Sequence, residues 1–420
     1  MNKVVACKLF VLGLLLCCVA CQTDDDLPGD NPSENLYLTG VTAEQHIGKA
    51  EIAEMLAGYA ASQGIELPES MLMAFLCDVD VASITYTTTA AEGGQVEASG
   101  VVAMPSGTTS YDHLLSIQHG TLNMEEAPSI QMFYYEMMPV VNGHVVVMAD
   151  YLGYGASQTA DRQHPYLHAR LTGTACADMI EAAREYLRQK GVGEDADKIE
   201  LMGYSQGGQA SMATLLELER RGQAGRIRGV YAGGGAYDLE SILQTFLSPA
   251  NATVPYARSG YLPYLIRGMV YGEQLRVIDE NLYAPVVIEN GLNKMFSTRP
   301  LSEWHDALGT DIRQVVHPDF FAAPTYNDNA DVKAVVAALQ ANSLVNASTK
   351  PQSTIYLYHS PQDDFVPYSN AVSAHELWPT STLTDLTMPN HVWGGIEFVL
   401  RYMGLWDFLG SMLFSSGAAA

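Results

Sequence analysis

The stretch KIELMGYSQGGQA, residues 198–210, constrains the fold more than any other part of the chain. The apolar run from Ile199 to Met202 predicts a short buried strand, and the residues from Gln206 to Arg221 predict a helix. Ser205 stands between them, with Gly203 and Gly207 two positions away on either side and Gly208 next. A reversal this tight holds its central residue in strained backbone, where side chains two positions away would collide. The glycines remove that collision, and the serine hydroxyl is then aimed above the carboxyl ends of the strands. Ligands bind there in open α/β sheets. Ser205 therefore reads as a nucleophile, the alternative being a serine in a tight turn without chemistry.

The rest of the pattern agrees with such a sheet. SITYTTTA (residues 83–90) and QVEASGVVAMP (residues 95–105) alternate and are joined through Gly93-Gly94, which predicts an antiparallel hairpin. HLLSIQHG, HVVVMADY, IRGVYAGGGAYD and STIYLYHS are short apolar runs of the kind that buried parallel strands show. Helical periodicity separates them, notably in TGTACADMIEAAREYLRQKG (residues 172–191) and in GGIEFVLRYMGLWDFL near the end. The expected class is α/β, a mostly parallel doubly wound sheet. The core is expected over residues 36–240 and 351–420, and residues 241–350 break the alternation. That segment reads as a mainly helical insertion over one end of the sheet, with Val332, Val335, Val336 and Leu339 on one helical face.

The N-terminus reads as processing sequence. Lys3 and Lys8 flank the start of an apolar stretch from Leu9 to Ala20, too short for a stable membrane span. It ends in CCVAC and resembles a bacterial lipoprotein signal, so residues 1–20 are expected to be removed and Cys21 to carry the lipid. Plain secretion is the alternative. QTDDD after the cleavage point resembles an acidic export tag, which implies the outer membrane and surface display. Residues 21–35 are acidic and nearly free of apolar groups, as a flexible tether would be. A formal charge of −25, from 47 acidic and 22 basic residues, excludes nucleic acid as a partner. Four of six cysteines lie in the first 21 residues. Cys77 and Cys176 remain and could pair in an oxidising compartment, although Cys176 falls in a helical stretch and reads rather as a small buried apolar residue.

A serine nucleophile needs a base, and the base needs an orienting carboxylate. After STIYLYHS, the spacing D-x-x-V-P from Asp363 to Pro367 marks an acid loop, with Asp363 favoured and Asp364 the alternative. Two histidines follow the acid. His375 falls on a predicted surface helix, whereas His391 in MPNHVWGG sits just before a terminal helix and is the expected base. Acyl transfer also requires donors for the oxyanion. The backbone N–H of Gln206 is one, and SIQHGTLN supplies the other at Thr121, with His119 and Gly120 shaping that loop. Asp150 reads as a turn cap at a strand end, with Gly153 and Gly155 allowing the reversal, and Tyr151 as a residue that could touch substrate.

With these residues in view, the chain resembles an α/β-hydrolase and is similar to the secretory lipase family. ITYTT, SGVVAMP, IQHGT, MADYLGYG, GYSQGG, GGGAYDLE, DDFVP and the Asn390-His391 pair carry the resemblance. It implies Ser205, Asp363 and His391 as a triad, oxyanion contacts at His119 to Thr121 and at Gln206, and a cap after the strand ending near Gly235. The expected activity is hydrolysis of a small-molecule, lipid or glycan ester, with no cofactor and no metal. The cap aromatics Tyr256, Tyr261, Tyr264, Tyr271, Trp304, Phe320 and Phe321 either line an acyl pocket or form the cap's own core. A serine peptidase with the same triad, or a non-catalytic binding protein on this scaffold, are the rival readings.

Overall fold

The computed structural model describes residues 35–62, 69–292 and 300–410. The expected signal peptide, the lipid attachment site Cys21 and all of the tether except Asn35 lie outside the described residues. From Asn35 onward the chain forms one unit.

Its framework is a nine-stranded sheet. The chain lays down β1 (Leu38–Ile47), β2 (Val79–Thr89), β3 (Gln95–Pro105), β4 (Ser110–Tyr111), β5 (Leu114–Gln118) and β6 (Val145–Ala149). It continues with β7 (Gly193–Glu194), β8 (Ile199–Tyr204), β9 (Ile227–Gly233), β10 (Ile355–His359) and β11 (Ser381–Asp385). Across the sheet the order is β1-β2-β3-β6-β5-β8-β9-β10-β11, while β4 and β7 pair separately. β1, β2, β3 and β6 are joined antiparallel, and every pairing from β6 to β11 is parallel. The hairpin expected from residue 83 begins earlier, at Val79. β1 was not expected at all. It is an edge strand whose residues are mostly exposed, so its sequence lacks the apolar alternation that betrays a strand.

Both faces of the parallel half are covered, which explains its continuous apolar runs. In β6, Val145, Val147 and Ala149 join one core cluster, while Val146 and Met148 join the other. β8 divides likewise, with Leu201 on one side and Met202 and Tyr204 on the other. Helices α1 (Lys49–Ser62), α2 (Glu69–Leu72), α3 (Pro128–Gln131), α4 (Ala169–Gln189) and α5 (Gln206–Arg220) occupy the first half. α4 and α5 pack so closely that a Cβ on Gly173 would stand 2.5 Å from the Ala213 carbonyl oxygen. Cys176 is buried in α4 and Cys77 is half-buried, and both are free thiols.

Between β9 and β10 lie α6 (Leu239–Leu247), α7 (Tyr261–Gly272), α8 (Pro285–Asn290), α9 (Leu301–Leu308) and α10 (Ala330–Asn342). The boundary expected at residue 241 falls inside α6, because Asp238 caps that helix by accepting the Ser241 N–H at 3.0 Å. Val332, Val335, Val336 and Leu339 of α10 are all buried. The chain then forms α11 (Tyr368–Leu377) and α12 (His391–Tyr402). Among the described residues no helix is long and apolar enough to cross a membrane.

Candidate active site

Three strand ends converge on the site. β8 stops at Tyr204, and Ser205 follows with φ 60° and ψ −121°, a left-handed conformation that a residue with a side chain adopts only under strain. Such strain costs on the order of 1–3 kcal/mol and persists only where the surroundings enforce it. Here the Ser205 N–H donates to the Gly233 carbonyl of β9 at 2.9 Å, and its carbonyl accepts the Gln209 N–H at 3.2 Å. The flanking glycines are needed for space. A Cβ on Gly203 would lie 2.3 Å from the Gly207 carbonyl oxygen, and one on Gly207 would lie 1.9 Å from that of Gln118.

The Ser205 hydroxyl is 2.7 Å from His391 Nε2, and His391 Nδ1 is 2.6 Å from Asp363 Oδ2. A carboxylate can only accept, so Nδ1 carries the proton and Nε2 offers its lone pair to the serine hydroxyl. His391 is not on the loop expected for it but is the first residue of α12, behind the N-cap Asn390. The two adjacent aspartates divide the work of holding it. Asp363 meets the ring, and Asp364 Oδ1 accepts the His391 backbone N–H at 3.0 Å.

The Asp363 carboxylate is fully buried and accepts from several sides. Its Oδ1 takes the N–H groups of Phe365 and Val366, each at 2.8 Å. Burial would raise its pKa, but hydrogen bonds from His359 and His391 prevail and hold it well below the usual carboxylate range. His359 was not singled out from the sequence. The signal was its place four residues before Asp363, at the last position of β10, which puts its Nε2 3.3 Å from Asp363 Oδ2.

Around the expected oxyanion site, the backbone N–H groups of Thr121 and Gln206 have no hydrogen-bond partner among the described residues. Thr121, Ser205 and His391 line one cavity. The Thr121 hydroxyl is 2.9 Å from the Tyr166 hydroxyl. Gln206 donates its side-chain N–H to His164 Nε2 at 2.9 Å, while His164 Nδ1 donates to the Leu152 carbonyl at 2.6 Å. Burial pushes His164 down to about 3, so it stays neutral and can accept. His119 is fully buried, with Nδ1 2.7 Å from the Gly120 carbonyl and its ring stacked on Tyr151. Burial pushes it down to about 4.

Two expectations need correction. Tyr151 is buried and donates its hydroxyl to the His119 carbonyl at 3.0 Å, so it braces the loop rather than facing a ligand. Asp150 does not cap its own turn. It accepts the Ser99 hydroxyl at 2.6 Å, the Ser129 N–H at 2.8 Å and the Ser129 hydroxyl, tying β3 and α3 together under the loop.

Ser205 opens on two cavities. The first is apolar and includes Gln206, Ile242, Phe246, Tyr256, Tyr261 and Leu265 in its walls. The second contains His391, Gly120, Thr121, Tyr134, Glu136 and Arg258. Of the seven aromatics expected in a cap, Tyr256 and Tyr261 line the apolar cavity, whereas Tyr264, Trp304 and Phe320 are buried in the hydrophobic core. Phe321 packs half-buried against that core, and Tyr271 against a small cluster around Leu171. Among the described residues no group of three or more His, Cys, Asp or Glu could hold a metal ion.

The family model described as Secretory lipase matches residues 122–254, a span that contains Ser205 but neither Asp363 nor His391. No curated protein matches the chain. Among solved structures, the rice cell wall degrading esterase LipA from Xanthomonas oryzae is 24% identical with a TM-score of 0.70, covering 89% of this chain and 98% of its own. A ligand-bound form of LipA is 25% identical over the same shares, with a TM-score of 0.67. Candida antarctica lipase A in its closed state is 15% identical with a TM-score of 0.59, covering 91% of this chain and 87% of its own. The chain thus has the α/β-hydrolase fold and is similar to the secretory lipase family.

Proposed function

We propose that this protein is a serine carboxylic-ester hydrolase acting through an acyl-enzyme. The observation that carries the reading is the unbroken hydrogen-bonded chain from Ser205 through His391 to Asp363. In the proposed mechanism His391 Nε2 takes the Ser205 proton as the hydroxyl oxygen attacks the ester carbonyl. Asp363 holds the imidazole in its Nδ1–H tautomer and stabilises the imidazolium that forms. The N–H groups of Gln206 and Thr121 receive the developing oxyanion, a donor pair whose members each contribute about 2.7–4 kcal/mol in comparable sites. His391 then gives its proton to the leaving alcohol, which departs, and later activates the water that releases the acid.

We assign the two halves of the ester to the two cavities. The leaving oxygen must take its proton from His391, so the alcohol portion occupies the cavity that His391 lines, and the acyl chain occupies the apolar one. Replacing Ser205 with Ala tests the reading. Hydrolysis of short-chain nitrophenyl esters should fall at least roughly 10⁴-fold, and labelling by a fluorophosphonate should vanish. Undiminished turnover in that variant overturns it.

We further propose that Cys21 carries a lipid that anchors the domain to the outer membrane, on the strength of the apolar stretch and CCVAC at residues 9–21. In the full-length protein, Cys21→Ser should abolish fatty-acid labelling and move the protein from the detergent phase to the aqueous phase.

A further inference from the structure

The alcohol-side cavity holds one side chain with a fixed positive charge, Arg258, which sits in the segment between α6 and α7. The chain as a whole carries a formal charge of −25, and most of its other described arginines are spoken for. Arg184, Arg220, Arg221, Arg226 and Arg228 all meet carboxylates within 4 Å. The Arg258 guanidinium has no ion-pair or hydrogen-bond partner among the described residues. It is half-buried, and its central carbon lies 3.4 Å from the centroid of the Phe365 ring. Phe365 in turn packs against the His391 ring, with centroids 4.6 Å apart.

This stacking has a directional consequence. A guanidinium lying flat on an aromatic ring uses its face for the cation–π contact, which leaves its N–H edges free. Those edges form a planar fork that matches two oxygens of an anionic group. The ring beneath is fixed to the loop that carries Asp363, so the fork is held in register with the base. The acidic members of the same cavity do not neutralise it. Glu126 lies on the exposed rim and accepts the Asn123 N–H at 3.1 Å, and Glu136 sits behind Gly120, whose N–H it accepts at 3.4 Å.

We infer that Arg258 binds an anionic oxygen group, carboxylate or phosphate, carried on the alcohol portion of the ester, and so selects acidic leaving groups. This rests on the esterase reading above, because only that reading assigns the cavity lined by His391 to the alcohol.

The test compares three phenyl esters of the acyl group that the wild type prefers. They differ in the para substituent of the phenol, which is carboxymethyl, phosphonomethyl or the neutral carboxamidomethyl. In the wild type kcat/KM for at least one anionic ester should exceed that for the amide by roughly 10-fold or more, as charge-assisted hydrogen bonds would give. The better of the two anions identifies the group. In Arg258→Met, which keeps a long side chain over Phe365, the anion-to-amide ratio should fall to about one, and in Arg258→Lys it should be intermediate. Because each ratio is taken within one variant, a general loss of activity or stability cancels. A wild-type ratio near one, or a ratio unchanged in Arg258→Met, overturns the Arg258 assignment and leaves the esterase reading standing. Failure of the wild type to hydrolyse any of the three esters, across an acyl series, overturns both.

Discussion

His359 and His391 share one oxygen. Asp363 Oδ2 lies 2.6 Å from His391 Nδ1 and 3.3 Å from His359 Nε2, and His359 Nε2 is also 2.9 Å from the Val366 carbonyl. With a carboxylate and a carbonyl both facing it, that nitrogen must carry a proton. His359 therefore ties the start of the acid loop to its end and supplies a donor to the carboxylate that orients His391. It is a positioning residue.

Replacing His359 with Phe removes that donor while filling most of the space. Charge-assisted hydrogen bonds contribute about 1.5–3 kcal/mol, so kcat should fall roughly 10- to 100-fold. The sign of the pH effect follows from the same contact. Losing a donor lets the Asp363 carboxyl protonate at higher pH, so the acid limb of the kcat profile should move upward. A merely structural role would lower activity evenly across pH, and His359→Gln, which can restore a donor, should recover part of the loss.

The elbow makes a steric prediction. Gly207→Ala places a methyl 1.9 Å from the Gln118 carbonyl oxygen, against backbone of β5 that cannot move without shifting the sheet. Overpacking of this kind costs about 1–3 kcal/mol or more. Ester hydrolysis should drop by at least 100-fold, because the displaced turn carries both Ser205 and the Gln206 N–H. Gly225→Ala is the control. Among the described residues nothing lies within 4 Å of its Cβ position, and its stability, read by thermal melting, should stay within about 0.5 kcal/mol of wild type.

How far these relationships were legible in the sequence depended on their range. The strand-to-helix turn at Ser205 was readable because local sterics alone demand Gly203 and Gly207. The parallel strands were readable because burial on both faces leaves uninterrupted apolar runs, as in β6. β1 was not, since an edge strand facing solvent has no apolar period to detect. Contacts made through tertiary packing left no local trace. Nothing in the residues around Arg258 points to Phe365, more than a hundred positions away, and nothing around Glu136 points to Gly120. Tyr151 shows the same limit. Its place after a strand end suggested proximity to a ligand, while the fold turns its hydroxyl back onto His119.

Glu136 offers a stability test. It is buried beside the Gly120 N–H, one of its carboxyl oxygens has no hydrogen-bond partner among the described residues, and burial pushes its pKa up to about 7. In the unfolded chain a glutamate ionises near pH 4.3. Between about pH 4 and 7 the unfolded state therefore binds fewer protons than the folded one, and stability should decline as pH rises through that window. Glu136→Gln, neutral at every pH, should remove the decline. The difference in melting temperature between variant and wild type should grow in favour of the variant from pH 4.5 to pH 8. A constant difference would mean that Glu136 is ionised throughout.

On the proposed reading, the apolar cavity sets the acyl preference through its walls. Phe246 packs against Tyr256 with ring centroids 4.8 Å apart, and both border the cavity that opens at Ser205. Replacing Phe246 with Ala extends that cavity without touching Ser205, His391 or Asp363. Each additional buried methylene contributes about 0.8 kcal/mol, or roughly a 4-fold gain in kcat/KM. Along a nitrophenyl ester series, the wild-type optimum should therefore move to chains longer by two or more carbons in Phe246→Ala. The shortest esters, which never reach Phe246, should keep their relative order. A shift toward shorter chains, or none, would show that the acyl group lies in the cavity lined by His391 instead, and would reverse the assignment of the two halves of the ester.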